Sequence, residues 1–141
     1  MTIKEIQEEI IDEFSMFDDW MERYEYIIEL GRSLPLIDSQ YKLDENLIRG
    51  CQSKVWLHSE LEKDMIKFTA DSDAILTKGI VALLLRVFSN QKPQDILDAD
   101  TGFIDEIGLK EHLSPTRANG LVSMLKQIKL YAIAQSAKTI N

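Results

Sequence analysis

The chain holds one cysteine, two histidines, three prolines, six scattered glycines and only 16 basic residues against 24 acidic ones. Each scarcity excludes something. A single thiol cannot close an internal disulfide, so there is no oxidised scaffold, and an intracellular, reducing compartment is the expected setting. Cys51, His58 and His112 together fall short of the about four Cys or His ligands that a structural zinc or iron–sulfur site takes, so no bound metal is expected. Gly31, Gly50, Gly79, Gly102, Gly108 and Gly120 occur singly, which leaves no glycine-rich phosphate loop. A net charge of -8, with no basic run among aromatics, repels phosphate backbones, and nucleic acid is not an expected partner. The longest nearly apolar run, Gly79 to Leu85, is too short to span a bilayer. The start MTIKEIQEEI lacks the basic residues, apolar block and cleavage site of an export signal, so a cytoplasmic protein is expected.

What is present reads as one domain over residues 1–141, without repeats or linkers. Thr2-Ile3-Lys4-Glu5 is a capping box, and Ile6, Ile10, Phe14 and Phe17 follow at helical spacing. A second helix starts near Asp18, carries Trp20, Tyr24, Ile27 and Ile28 on one face, and stops at Gly31 ahead of Pro35. A turn-rich connection then leads to a short extended piece at Asn46–Ile48. From Lys54 the period changes to two: Val55, Leu57, Ser59 and Leu61 point one way, and Trp56, His58 and Glu60 the other. That strand turns at Glu62–Asp64 and returns antiparallel as Met65–Ala70. Asp71 or Ser72 is the expected N-cap of a helix with Ile75, Leu76, Ile80, Leu83, Leu84 and Val87 on its apolar face. Short helices are expected at Pro93–Leu97 and Phe103–Ile107. The last helix has Ser114 as cap, Pro115 in its first position, and Leu121, Met124, Leu125, Ile128 and Tyr131 inward. Helices flanking a small antiparallel sheet make an α+β fold.

In that frame Cys51 falls in a turn between two extended pieces, directly behind Gly50, which tolerates backbone dihedrals closed to other residues. Gln52 and Ser53 suit a hydrogen-bonded loop. A lone cysteine is also often an inert small core residue; reactivity depends on thiolate fraction, which a neighbouring cation or helix N-terminus raises. His58 lies on a strand pointing away, and His112 reaches the thiol only through the fold, so a Cys/His hydrolase has little support. Asp18-Asp19 and Asp71-Ser72-Asp73 sit where helix caps belong.

The segment GCQSKVW at Gly50–Trp56 resembles the cysteine segment of the SufE family, sulfur acceptors that partner the cysteine desulfurase SufS in iron–sulfur cluster biogenesis. The likeness continues through YIIELGRSLP, DSDAILTKG, KPQDIL and HLSPTRANGLVSM, in the family's order and across nearly the whole chain. It implies the α+β fold shared with IscU-type scaffolds, and a persulfide relay. The desulfurase uses its own pyridoxal phosphate to load sulfur on its active-site cysteine, so no cofactor of this chain is implied. Cys51 takes that sulfur, the desulfurase turns over faster, and a SufBCD-type scaffold receives the cargo.

By the same resemblance Asp73 and Arg117 lie near the cysteine loop, Arg117 to stabilise a thiolate or persulfide and Asp73 to hold the resting loop. The plainer alternatives are a helix cap for Asp73 and a salt bridge or loop-backbone contact for Arg117. Gln52 and Ser53 set the loop's conformation. A non-catalytic allosteric adaptor of a desulfurase remains open beside the carrier reading. An independent thiol enzyme is a weaker third, since no resolving cysteine or positioned base is evident. The sequence also leaves open a CsdE-like branch of the family with a CsdA-type partner desulfurase, and monomer against homodimer.

Overall fold

Thr2 starts the chain's first helix in the way its sequence anticipates. In the computed structural model, which describes residues 1–140 and side chains through residue 138, α1 spans Ile3–Ser15. The Glu5 N–H donates to Thr2 Oγ1 at 3.1 Å, and the Thr2 N–H donates to Glu5 Oε1 at 2.9 Å. α2 (Trp20–Leu30) is capped by Asp19, whose carboxylate accepts from the Glu22 N–H at 2.9 Å. Of the apolar residues expected inward on α2, Ile27 is fully buried but Ile28 is exposed.

Three short 3₁₀ turns, Gly31–Ser33, Ser39–Tyr41 and Asp44–Asn46, occupy the polar connection. The extended piece expected at Asn46–Ile48 is smaller than anticipated. Asn46 closes a 3₁₀ turn, and only Leu47 pairs, as a single bridge to Trp56. β1 (Val55–Glu62) and β2 (Met65–Ser72) form an antiparallel hairpin in register from Val55↔Ser72 to Glu62↔Met65, joined through Lys63 and Asp64. The alternation holds: Val55 and Leu57 on β1 and Ile66, Phe68 and Ala70 on β2 are buried on one face.

α3 (Ile75–Phe88) follows after Ala74, which has no side-chain cap. The expected caps Asp71 and Ser72 belong to β2 instead, because pairing continues to Val55↔Ser72. The Asp71 carboxylate meets Lys42 at 3.0 Å and Lys78 at 3.5 Å. Ile75 is solvent-exposed rather than inward, while Ile80, Leu83, Leu84, Val87 and Phe88 are at most 1% exposed. α3 is thus the central helix, against α1, α2, β2 and α7. Arg86 on α3 ties back to Glu9 and Glu13 on α1.

α4 (Pro93–Asp98) and α5 (Phe103–Glu106) fall where expected. α6 (Leu109–His112) was not foreseen: at four residues it is too short to show a helical period, and Gly108, at φ 73, turns the chain into it. α7 (Pro115–Ile140) starts with Pro115, and Ser114 Oγ accepts from the Arg117 N–H at 3.3 Å, so the anticipated cap is in place. Leu121, Met124 and Ile128 face inward, and Tyr131 donates its hydroxyl to the Leu57 carbonyl at 3.1 Å, joining α7 to β1. Helices around a two-stranded antiparallel sheet make the α+β class expected. Among the described residues no helix is long and apolar enough to cross a membrane.

Candidate functional site: the Cys51 loop

Between the Leu47 bridge and β1 the chain makes a closed loop. The Ile48 N–H donates to the Val55 carbonyl at 2.8 Å, so residues 49–54 bulge out together. Gly50 sits at φ 93, where an L side chain is strained, and a Cβ there would lie 2.4 Å from Ser123 Oγ on α7. The loop's far end is held by Asp73: its Oδ1 accepts from the Lys54 N–H at 3.0 Å, and its own N–H donates to the Lys54 carbonyl at 3.3 Å. Asp73 is therefore not the cap of α3; its carboxylate is engaged by the loop.

Held at both ends, the loop turns Cys51 inward. The half-buried thiol donates to the Gly120 carbonyl of α7 at 3.6 Å. The sulfur lies over Gly120, where an added Cβ would stand 3.5 Å from it, in ordinary contact. Beside the sulfur is a cavity of about 50 Å³, with Ile80 and Met124 as apolar walls and Gln52, Ser53, Thr77, Thr116 and Arg117 as polar ones. Burial pushes the Cys51 thiol above its ordinary value, so the resting group is a protonated thiol. Arg117 is exposed, and its guanidinium forms no ion pair among the described residues.

Cys51, Gln52, Ser53 and Arg117 thus come together around the cavity, while Gly50, packed on Ser123, and Asp73, at the loop's end, do not line it. Sequence reasoning did not find Thr77, Ile80, Thr116, Gly120 or Met124. The one available signal was Gly120, an isolated glycine inside a helical pattern, which often marks a close approach. The histidines are engaged elsewhere. His58 stacks on Tyr41 at 3.7 Å between ring centroids, and His112 stacks on Trp20 at 3.8 Å. Among the described residues no three His, Cys, Asp or Glu side chains group to hold a metal ion.

Chemically, the arrangement is a nucleophile kept protonated and half covered, with a cation available at its margin. Alkylation of Cys51 in the free protein should therefore run slower at neutral pH than that of an unstructured cysteine peptide, because burial leaves less of the thiol as thiolate. Its pH profile should rise at higher pH than the peptide's, and a partner that lifts the loop should restore the rate. Iodoacetamide kinetics between neutral and alkaline pH check this; matching profiles for protein and peptide would mean the thiol is not sheltered.

Comparison with known proteins bears on the family and the fold. A family model described as SufE, Fe-S metabolism associated domain, matches residues 8–132. An uncharacterized SufE-like protein of Rhizobium meliloti (strain 1021) is 42% identical over 127 residues, covering 86% of this chain and 91% of that protein. Another, from Rhizobium etli, is 40% identical over 135 residues, covering 92% of this chain and 91% of that one. In three dimensions the chain is similar to a solution structure of a hypothetical protein from Thermus thermophilus. The TM-score is 0.76 at 19% identity, over 92% of this chain and 94% of that one, a likeness of fold.

Proposed function

The chain belongs to the SufE family, with its role in Fe–S metabolism, and from that premise we propose that it carries sulfur as a persulfide on Cys51 between a cysteine desulfurase and a cluster scaffold. The observation that carries this reading is the Cys51 loop: the chain's only thiol, on a segment pinned by a few hydrogen bonds and next to an unpaired guanidinium. A structural cysteine has no need of such a loop.

The step balances without an outside oxidant. Cys51, as thiolate, attacks the outer sulfur of the desulfurase's cysteine persulfide. A new S–S bond forms at Cys51, the donor's S–S bond breaks, and the donor cysteine leaves as a thiolate that takes up a proton. Pyridoxal phosphate stays with the desulfurase. This chain supplies the acceptor sulfur, and by clearing the persulfide it speeds the desulfurase. Because the resting thiol is protonated and half covered, docking must release the loop and expose Cys51 to the donor; Arg117 then favours the anionic sulfur. A SufBCD-type scaffold is the proposed receiver, and the cytoplasm the proposed compartment.

The test is direct. Mixed with a SufS-type desulfurase and free cysteine, the protein should gain the mass of sulfur on the peptide containing Cys51 and lose it to a reductant. No reducible mass gain on that peptide would end the carrier reading. Arg117→Ala should slow sulfur acceptance, because the attacking and persulfide sulfur would lose the cation that lines its cavity. Its stability should change by about 1 kcal/mol or less, because the side chain is exposed. Single-turnover transfer and urea unfolding measure the two; an unaltered transfer rate in the folded variant would leave Arg117 without a part in the chemistry.

A further inference from the structure

A cleft of about 570 Å³ runs along α1, α4 and α5 and shares no lining residue with the Cys51 cavity. α7 shows how the two are separated. Gly120 lies against Cys51, whereas Lys129 donates to the carbonyls of Leu97 and Ala99 beside the cleft, about two and a half turns or roughly 14 Å farther along the helix. The cleft's floor is apolar: Ile3 and Phe103 are buried, and Ile11 and Ala99 are half-buried beside them. Its rim is acidic. Glu8, Asp95, Asp98, Asp100 and Glu106 are all exposed there, with Lys4 as the one basic side chain in the lining. Elsewhere carboxylates find cations, as Glu9 and Glu13 do in Arg86 and Asp71 in Lys42, but none of these five forms an ion pair among the described residues. Asp98 accepts only from the Gln94 amide at 2.9 Å, and Asp100 Oδ1 from the Gly102 N–H at 2.7 Å. Gln7 adds an observation of another kind. This side chain lines the cleft at 9% exposure, and its Nε2 is fixed by donation to the Asp100 carbonyl at 2.7 Å. Its Oε1 accepts no hydrogen bond among the described residues, whereas an amide so enclosed ordinarily has both ends met.

We propose that this cleft docks a basic, amphipathic segment of a partner protein, with its apolar side chains on Ile3, Ile11 and Phe103 and its cations among the five carboxylates. The inference goes beyond the carrier reading and does not depend on it. Floor and rim ask for different things in one ligand: burial of the floor rewards apolar side chains, and the rim rewards positive charge, which is the pattern of a helix laid in a groove. Unpaired carboxylates suit that use, since docking neutralises them without first breaking internal ion pairs. Gln7 Oε1 calls for a donor, and arginine or lysine brings only donors. A segment held here lies away from the thiol and leaves the Cys51 loop free to move.

The probe is a synthetic peptide of about twelve residues, with leucine along one helical face and arginine along the other. It is titrated into the full chain while amide signals are followed by NMR. Signals of Gln7, including its side-chain amide, of Glu8 and of Phe103 should shift and saturate, and those of Cys51, Gln52 and Ser53 should stay in place. Glu8→Lys/Glu106→Lys should weaken Kd at least about tenfold, and Glu25→Lys/Asp44→Lys, an equal charge change on α2 and in the turn before the Cys51 loop, less than about threefold. Glu8→Gln/Glu106→Gln guards against a folding defect in the reversed pair and should weaken Kd about threefold. The parent's Kd should also weaken about tenfold between roughly 50 mM and roughly 500 mM salt. A peptide with serine in place of leucine should bind at least about tenfold more weakly, since it offers the floor nothing. Absence of saturable binding overturns the inference, and so does equal weakening by the two reversed pairs. Spermine or the serine peptide binding as tightly as the probe also overturns it; the cleft would then be a sink for any polycation. Shifts centred on the Cys51 loop would move the binding to the thiol site and end the proposal.

Discussion

Cys51→Ser should fold like the parent, still bind the desulfurase, and take up no sulfur. The structural cost is small, because the thiol makes one long contact, to the Gly120 carbonyl at 3.6 Å, and a serine hydroxyl can donate to the same oxygen. A change within about 1 kcal/mol is expected, the usual worth of one such hydrogen bond. The chemical cost is total. A serine hydroxyl is almost wholly protonated near neutral pH, and no second thiol exists in the chain to take over. Sulfur uptake should drop to the detection limit, and desulfurase turnover to its unassisted level. Turnover with and without the variant, beside mass analysis of the Cys51 region, measures both. If the serine variant stimulates the desulfurase as fully as the parent, the carrier reading is wrong. The chain would then act as an allosteric adaptor, which needs only the docking surface.

The parts of this fold legible in the sequence are those specified by neighbours. The hairpin followed from strict alternation over Val55–Leu61, and the caps at Thr2 and Ser114 from side chains that satisfy N–H groups three residues on. The parts that escaped depend on distant residues. Whether Ile28 and Ile75 face in or out is decided by which neighbour covers a wide apolar stripe, and helical periodicity cannot tell the stripe's margin from its centre. Asp71 and Ser72 look like caps because the residue types are right, but pairing with Trp56 and Val55 keeps them in β2. At the site, Gly50 and the residues after Cys51 were readable as a loop. The covering carbonyl belongs to Gly120, 69 positions away, and only the packing of α7 brings it there. The resemblance to a known family supplied what spacing alone could not, namely that Cys51 and Arg117 share one site.

The close approach of α2 and α3 gives the largest expected effect on stability, and it bears on the site as well. At Gly79 on α3, a Cβ would lie 2.0 Å from the Ile27 carbonyl oxygen and 2.7 Å from its carbon, which are backbone atoms that cannot rotate away. Gly31, at the end of α2, meets Gly79 from the other side, where its own Cβ would be 3.2 Å from the Gly79 nitrogen. In an exposed helix, glycine to alanine gains up to about 1 kcal/mol. Here Gly79→Ala must force the helices apart, opening contacts around Ile27 and Ile80, and a net loss of about 3 kcal/mol is expected. For a chain of this size that lowers Tm by roughly 10 °C. Thr77 and Ile80, on the same helix, are walls of the Cys51 cavity, so the displacement should also speed alkylation of the thiol. Gly120→Ala is the matched control: its Cβ would stand 3.5 Å from the sulfur, ordinary contact, so helix propensity should leave stability unchanged or slightly raised. Thermal and urea unfolding of the two variants, with iodoacetamide rates beside them, separate the cases. An unchanged Tm for Gly79→Ala would mean that α2 and α3 can separate freely, and that the cavity beside Cys51 does not depend on their contact.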